Sequence, residues 1–158
     1  MFIRPLMSSI MVILLLCAGC GGGGGDASGR GTFSFKVVAR AATPGLKIYA
    51  VQFKVSLPAG VTLNTLPDGT PDVSALAPAA AAGGPHTLVE SNYLPGAVPP
   101  TVLVAFINSD GFPAGDIVTI SGTASGGVDS SQLFLTEFKA YDQNAEEMPA
   151  VAGTISPT

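Results

Sequence analysis

Few side chains in this chain are of types that do chemistry. Cys17 and Cys20 sit in Leu16-Cys17-Ala18-Gly19-Cys20, directly ahead of five glycines. His86 is the only histidine; it follows Gly83-Gly84-Pro85, where it reads as a loop residue, with Glu90 or Asp110 as possible partners. No nucleophile motif accompanies them, so no acid, base and nucleophile converge and no enzyme is expected. Asp142-Gln143-Asn144-Ala145-Glu146 begins like a calcium loop. Its sixth position is Glu147, where glycine is needed for the sharp turn, and Pro149 follows, so it reads as a solvated acidic turn. Asp110 and Asp116 are an alternative acidic pair, though Asp116 reads better as the start of a strand. Neither a metal nor a cofactor is therefore expected. What remains is a thiol at position 20 and a few aromatic rings.

The thiol sits at the end of a leader. Arg4 supplies the positive end, Ile10 to Leu16 are apolar apart from nothing charged, and Ala18-Gly19 are the small residues a signal peptidase needs. A membrane-spanning helix takes about 20 apolar residues. The stretch from Leu6 to Gly19 is shorter, contains Ser8 and Ser9, and runs into Gly21 to Gly25, so residues 1–19 are expected to be a signal peptide. Residues 16–20 resemble the lipobox of bacterial lipoproteins, with Cys17 where that family usually has Leu. The resemblance implies that Cys20 is acylated and becomes the N-terminus of a protein held in the cell envelope, at the outer membrane, on its periplasmic or surface side. Plain secretion would leave Cys20 as an unexplained free thiol.

Both cysteines fall in this segment, so the mature domain can form no internal disulfide. With residues 1–19 removed, six Lys/Arg face eleven Asp/Glu, a net charge of −5. This argues against nucleic acid, whose phosphates demand a basic surface. Residues 20–31 are Gly, Ala, Ser, Asp and Arg, apart from Cys20 itself, and read as a tether. Its coil dimension is roughly 18 Å, and it reaches about 38 Å when stretched.

Residues 32–158 must position everything else, and they read as strands. Charged residues are 11% of the chain, against about 25% usually, and polar positions are filled by Thr, Ser, Asn and Gln, which suit strands and turns. Phe33, Phe35 and Val37 alternate with Ser34 and Lys36. Tyr49, Val51, Phe53, Val55 and Leu57 alternate with Ala50, Gln52, Lys54 and Ser56, so Tyr49 is expected on the buried side. Val61 to Leu63 continue that strand after Pro58-Ala59-Gly60, and residues 67–84 read as a loop with at most one helical turn at Ala79 to Ala82. Further strands are expected at Thr87 to Asn92, at Thr101 to Ile107 with both sides covered, at Asp116 to Ala124, at Gln132 to Tyr141 and at Val151 to Ile155. Asn108-Ser109-Asp110-Gly111 is expected to turn the chain. The fold class is all-β, an antiparallel β-sandwich.

Three segments, IYAVQFKVSLPAGVTL (48–63), LVAFINSDGFPAGDIVTISGTA (103–124) and FLTEFKAYDQNAEEMPAV (134–151), resemble in order a cohesin-type domain. The resemblance implies a jelly-roll sandwich of about nine strands, related in fold to certain cellulose-binding modules, whose task is to dock a dockerin module. The chain departs from that family's scaffolds in having one such domain, no repeats and no dockerin of its own. Two functions follow. The first is a module that presents one sheet face to a protein partner, dockerin-like or another envelope protein. The second is polysaccharide binding, which needs flat exposed rings; without Trp, the candidates are Tyr93, Phe112 and Tyr141, each otherwise a core or corner aromatic.

Overall fold

The computed structural model describes residues 30–126, 128 and 130–158. The expected signal peptide 1–19, with Cys17, and residues 20–29 of the tether, with Cys20, lie outside the described residues. Nine strands are described: β1 (Arg30–Ala41), β2 (Lys47–Ser56), β3 (Val61–Leu63), β4 (Leu76–Pro78), β5 (Thr87–Leu94), β6 (Thr101–Pro113), β7 (Gly115–Ser125), β8 (Phe134–Tyr141) and β9 (Val151–Pro157). One sheet runs β3-β7-β1-β9 with β4 also on β7; the other runs β5-β6-β2-β8, and every pairing is antiparallel. The described residues are thus all-β, a sandwich of two antiparallel sheets. Among the described residues no helix is long and apolar enough to cross a membrane.

Alternation builds the core. Phe35, Val37, Val51, Phe53, Val55, Val102, Val104, Phe106, Val118 and Ile120 all turn inward and are almost completely buried. They come from the four inner strands of the two sheets, so each sheet's apolar face covers the other's. Among the described residues, Thr101 and Asn108 are the buried polar ones.

Several boundaries differ from expectation. β1 begins at Arg30, inside the expected tether, because Arg30 and Gly31 pair with Ser125 and Ala124. Val61 to Leu63 do not extend β2. Gly60, at φ 81°, turns the chain across the sandwich, and β3 joins β7 in the other sheet. Residues 67–84 are not all loop: Ala75 and Leu76 are buried, and β4 lies along β7 with Leu76 opposite Ile120. The Ala79 to Ala82 run closes a single turn, with the amides of Ala82 and Gly83 both donating to the Ala79 carbonyl.

Asn108 to Gly111 do not reverse the chain. Ile107 pairs with Ala50 and Phe112 with Ile48, so four residues of β6 bulge out opposite the single residue Tyr49. The reversal falls at Ala114, between β6 and β7. Gly111 carries φ 69°, and the Tyr49 ring covers the place its Cβ would take, 3.0 Å away. The bulge therefore changes the parity of β2: Ile48 is buried and Tyr49 only partly so.

Where β9 comes against β8, Gly153 faces Phe138 and Leu135, and a Cβ there would collide with the Phe138 ring. Gly153→Ala should therefore lower stability by about 1–3 kcal/mol through overpacking. Urea unfolding measures this. Gly31→Ala, where a Cβ meets nothing within 4 Å, should leave the midpoint in place.

Candidate functional site

The two outer faces of the sandwich differ in chemistry. On the five-stranded sheet, β1 and β7 present Thr32, Ser34 and Lys36 beside Thr123, Ser121 and Thr119. Their polar groups satisfy one another: Ser34 and Ser121 hydroxyls lie 3.1 Å apart, and Lys36 Nζ donates to Asp116 at 2.6 Å. That surface is covered in hydroxyls and suits water.

The four-stranded sheet is different. The register aligns outward side chains into rows across all four strands: Leu88, Ile107, Ala50 and Tyr141 in the first, and Glu90, Ala105, Gln52 and Lys139 in the second. Asn92, Leu103, Lys54 and Thr136 form the third, and Leu94, Thr101, Ser56 and Phe134 the fourth. β6 was expected to be covered on both sides, yet Ile107 is 48% exposed. It is central in its sheet by hydrogen bonding, but its outer side has no layer over it. Leu88 (53%), Leu94 (42%) and Phe134 (60%) are also exposed, so the first row is apolar, the last has apolar residues only at its two ends, with Ser56 and the buried Thr101 between them, and the middle rows are mixed. Single exposed leucines carry no message, whereas aligned ones form a surface that water covers poorly. The charges on this face are largely paired, Lys54 with Glu137 at 3.6 Å and Lys139 with Glu147 at 2.8 Å. The Glu147 carboxylate holds the Lys139 ammonium above the usual lysine range.

Two shallow depressions mark the face. One, of about 470 Å³, lies over the middle rows between Glu90, Leu103, Gln52 and Lys139. The other, of about 700 Å³, lies over the first row and the turns next to it and is lined by Tyr49, Ile107, Ser109, Tyr141 and Gln143.

The three aromatic candidates do not share this surface. Tyr93 is 7% exposed, and its hydroxyl donates to the Val61 carbonyl at 3.4 Å. Phe112 is 1% exposed and packs edge-on against Phe106, with centroids 5.5 Å apart. Both occupy inward positions, so the core reading holds for them and they cannot form an exposed platform. Tyr141 is the one that reaches the outer face. Its companion there is Tyr49, which strict alternation assigns to the core; the Asn-Ser-Asp-Gly stretch opposite was the available sign that the register would break.

Asn108 organises the rim of the larger depression. It is buried, and its amide donates to the Ala82 carbonyl at 2.8 Å and to Thr87 Oγ1 at 3.0 Å, while its Oδ1 accepts the Asp110 amide at 2.9 Å. Nearby, His86 Nδ1 lies 2.9 Å from Asp110 Oδ2, so Asp110 is the histidine's partner and Glu90 is not. Both side chains are well exposed. On the opposite rim Asp142 accepts the amides of Asn144 (2.8 Å) and Glu146 (2.9 Å), with Ala145 at φ 61°. These backbone donors hold the Asp142 carboxyl below the usual carboxylate range, so its oxygens close a turn. Asp116 pairs with Lys36 on the outer face of the other sheet, apart from Asp110. Among the described residues no three His, Cys, Asp or Glu side chains gather as a metal site.

No family model, curated protein or solved structure matches this chain.

Asn108→Ala strands the Asp110 amide and leaves the Ala82 carbonyl with only the Thr87 hydroxyl as its side-chain donor, at 3.2 Å. It should cost about 2–3 kcal/mol and accelerate hydrogen exchange at Asp110. A loss within the error of urea denaturation would remove Asn108 from its organising role.

Proposed function

We propose that this protein is a lipid-anchored, non-catalytic binding module of the cell envelope, a cohesin-like jelly roll that holds a protein partner on the outer face of β5-β6-β2-β8. The contiguous apolar first row, Leu88, Ile107 and Tyr141, is the observation that carries the reading. The paired lysines leave little net charge on the face, so the partner is selected by an apolar ridge with hydrogen-bonding groups beside it, as a dockerin-like helix pair or another envelope protein would offer.

Size supports a macromolecule. Four strands about 4.8 Å apart and four rows about 6.8 Å apart span on the order of 500 Å². The loops at 108–111 and 142–147 extend this toward the ~800 Å² per partner of a stable interface. Polysaccharide binding ranks second, since two of its three candidate rings are buried and Tyr141 with Tyr49 makes only a short platform. No nucleic acid, metal or cofactor enters the reading.

Anchoring at Cys20 fits the direction of the strands. Arg30 and Ser125 lie at one end of the sandwich, and the first row lies toward the other. A tether leading to Arg30 therefore leaves the first row on the side away from the membrane.

A photo-crosslinking residue at position 107 should give a protein adduct in intact cells, and one at Thr119 on the opposite sheet should not. Ile107→Glu should weaken capture of that protein at least about tenfold with little change in the unfolding midpoint. Protection of position 107 by soluble glycan, with no protein adduct, would sink the reading. For the anchor, Cys20→Ser should move the protein out of the membrane fraction; unchanged retention would count against lipidation.

A further inference from the structure

β5 is an edge strand with an unusual lack of protection. Its eight residues pair with β6 in unbroken register from Thr87–Asn108 to Leu94–Thr101, whereas the pairings of β1 with β7, β2 with β6 and β2 with β8 all shift. It contains no Pro, Lys or Arg. Edges usually carry such residues, or bulges, to prevent pairing with another chain. The remaining edges here carry such residues, are short, or are covered, β9 being in unbroken register with β1 but ending in Pro157. β8 is broken at Glu137, which sits at φ 54° and is followed by Lys139; β3 and β4 are three residues each, β4 ending in Pro78; β9 lies against Phe138 and Leu135 of β8.

The free side of β5 can be identified. The Ser109 amide donates to the His86 carbonyl, so even-numbered positions along this strand aim their backbone groups at β6. The Thr87 amide, of the other parity, points away from β6 to the Gly84 carbonyl. Val89, Ser91 and Tyr93 therefore turn their N–H and C=O groups to the open edge. The partner such a row recognises is an extended backbone.

We propose that this edge pairs with β5 of a second copy of the chain, antiparallel and centred on Ser91, joining two four-stranded sheets into one of eight. In that register Val89 faces the second copy's Tyr93, Leu88 its Leu94 and Glu90 its Asn92. The exposed leucines, 53% and 42% accessible, cover each other, and the strand's one charged residue meets an amide that can donate to it. About six ladder hydrogen bonds form. A slip to a centre at Glu90 would set carboxylate against carboxylate, so charge selects the Ser91 register over its neighbour. The inference stands on the edge and not on the protein-docking reading of the sheet face. Its occupant is the same chain, and although Leu88 is covered, Ile107, Ala50 and Tyr141 of the face stay open.

Analytical ultracentrifugation of the full chain tests it. The expected result is a reversible dimer with Kd on the order of 10–100 µM. Ser91→Pro, which removes an amide β6 does not use, should abolish it. Asn92→Glu should weaken it at least about tenfold by facing Glu90, and Asn92→Lys should tighten it by a similar factor. These charge variants keep the test decisive if Ser91→Pro misfolds. A chain monomeric at millimolar concentration, or a dimer indifferent to the charge at position 92, would overturn the proposal. Because Ile107 lies off the edge, Ile107→Glu should leave the dimer intact while disturbing the sheet-face reading, which separates failure of the two.

Discussion

Two-residue alternation along the β2–β6 pair is the constraint on which the rest of this molecule depends. Val51, Phe53 and Val55 lie beside Phe106, Val104 and Val102, and all six are at most 3% exposed. Burying each is worth about 1.5–3 kcal/mol, so together they supply roughly 9–18 kcal/mol gross, comparable to the whole net stability of a typical domain. A one-residue slip would turn all six outward. The register is therefore not negotiable, and it fixes the other side of the same strands. Ala50, Gln52 and Lys54 must stand beside Ile107, Ala105 and Leu103 on the outer face. The apolar character of that face is not a by-product of the core, because outward positions are free to be polar, as the hydroxyl-rich face of β1 and β7 demonstrates.

Where alternation alone cannot serve the core, bulges reset it. Opposite Tyr49, four residues of β6 loop out, and Ile48 enters the core in place of its neighbour. A second break lets Phe138 stack on Phe53 at 6.3 Å while Glu137 is displaced to the surface. Both breaks also shape the candidate face. The first tips Tyr49 toward Tyr141, and the second brings Glu137 to Lys54. The irregularities and the features that could recognise a partner thus share a cause.

This explains how much was legible in the residues. Long alternating runs announced themselves, and β1, β2, β6, β7 and β8 stand near their expected places, as do β5 and β9. β4 was hidden because Leu76-Ala77-Pro78 is too short to show a period and contains a residue that cannot donate to a ladder. β3 was found but assigned to the wrong sheet, since local pattern does not say across which gap a glycine turns the chain. Asn108-Ser109-Asp110-Gly111 has turn composition, and its residues do make turn-like bonds, but pairing of Ile48 with Phe112 resumes beyond it and the strand continues. Tyr93 and Phe112 were ambiguous for a related reason. An aromatic near a strand end or a glycine can face either way until register is known.

Direction then links the two ends of the chain's design. β1 leads from Arg30 to Ala41 and β2 returns from Lys47, so the β1–β2 connection, the β6–β7 reversal and the 142–147 turn gather at one end of the sandwich. The larger depression is built from the last two neighbourhoods, with Asn108 pinning one rim and Asp142 the other. Both pins work through backbone groups: Asn108 ties down the Ala82 carbonyl, and Asp142 gathers the amides of its own turn. Such a rim can hold its shape while its other outward side chains change, because the buried Asn108 and the half-buried Asp142 carry the framework. Under the proposed anchoring at Cys20, that end faces away from the lipid, and the tether needs only to hold the opposite end. Fixing position and selecting a partner are then separate tasks, assigned to opposite ends of one sandwich, and β2 and β6 connect them.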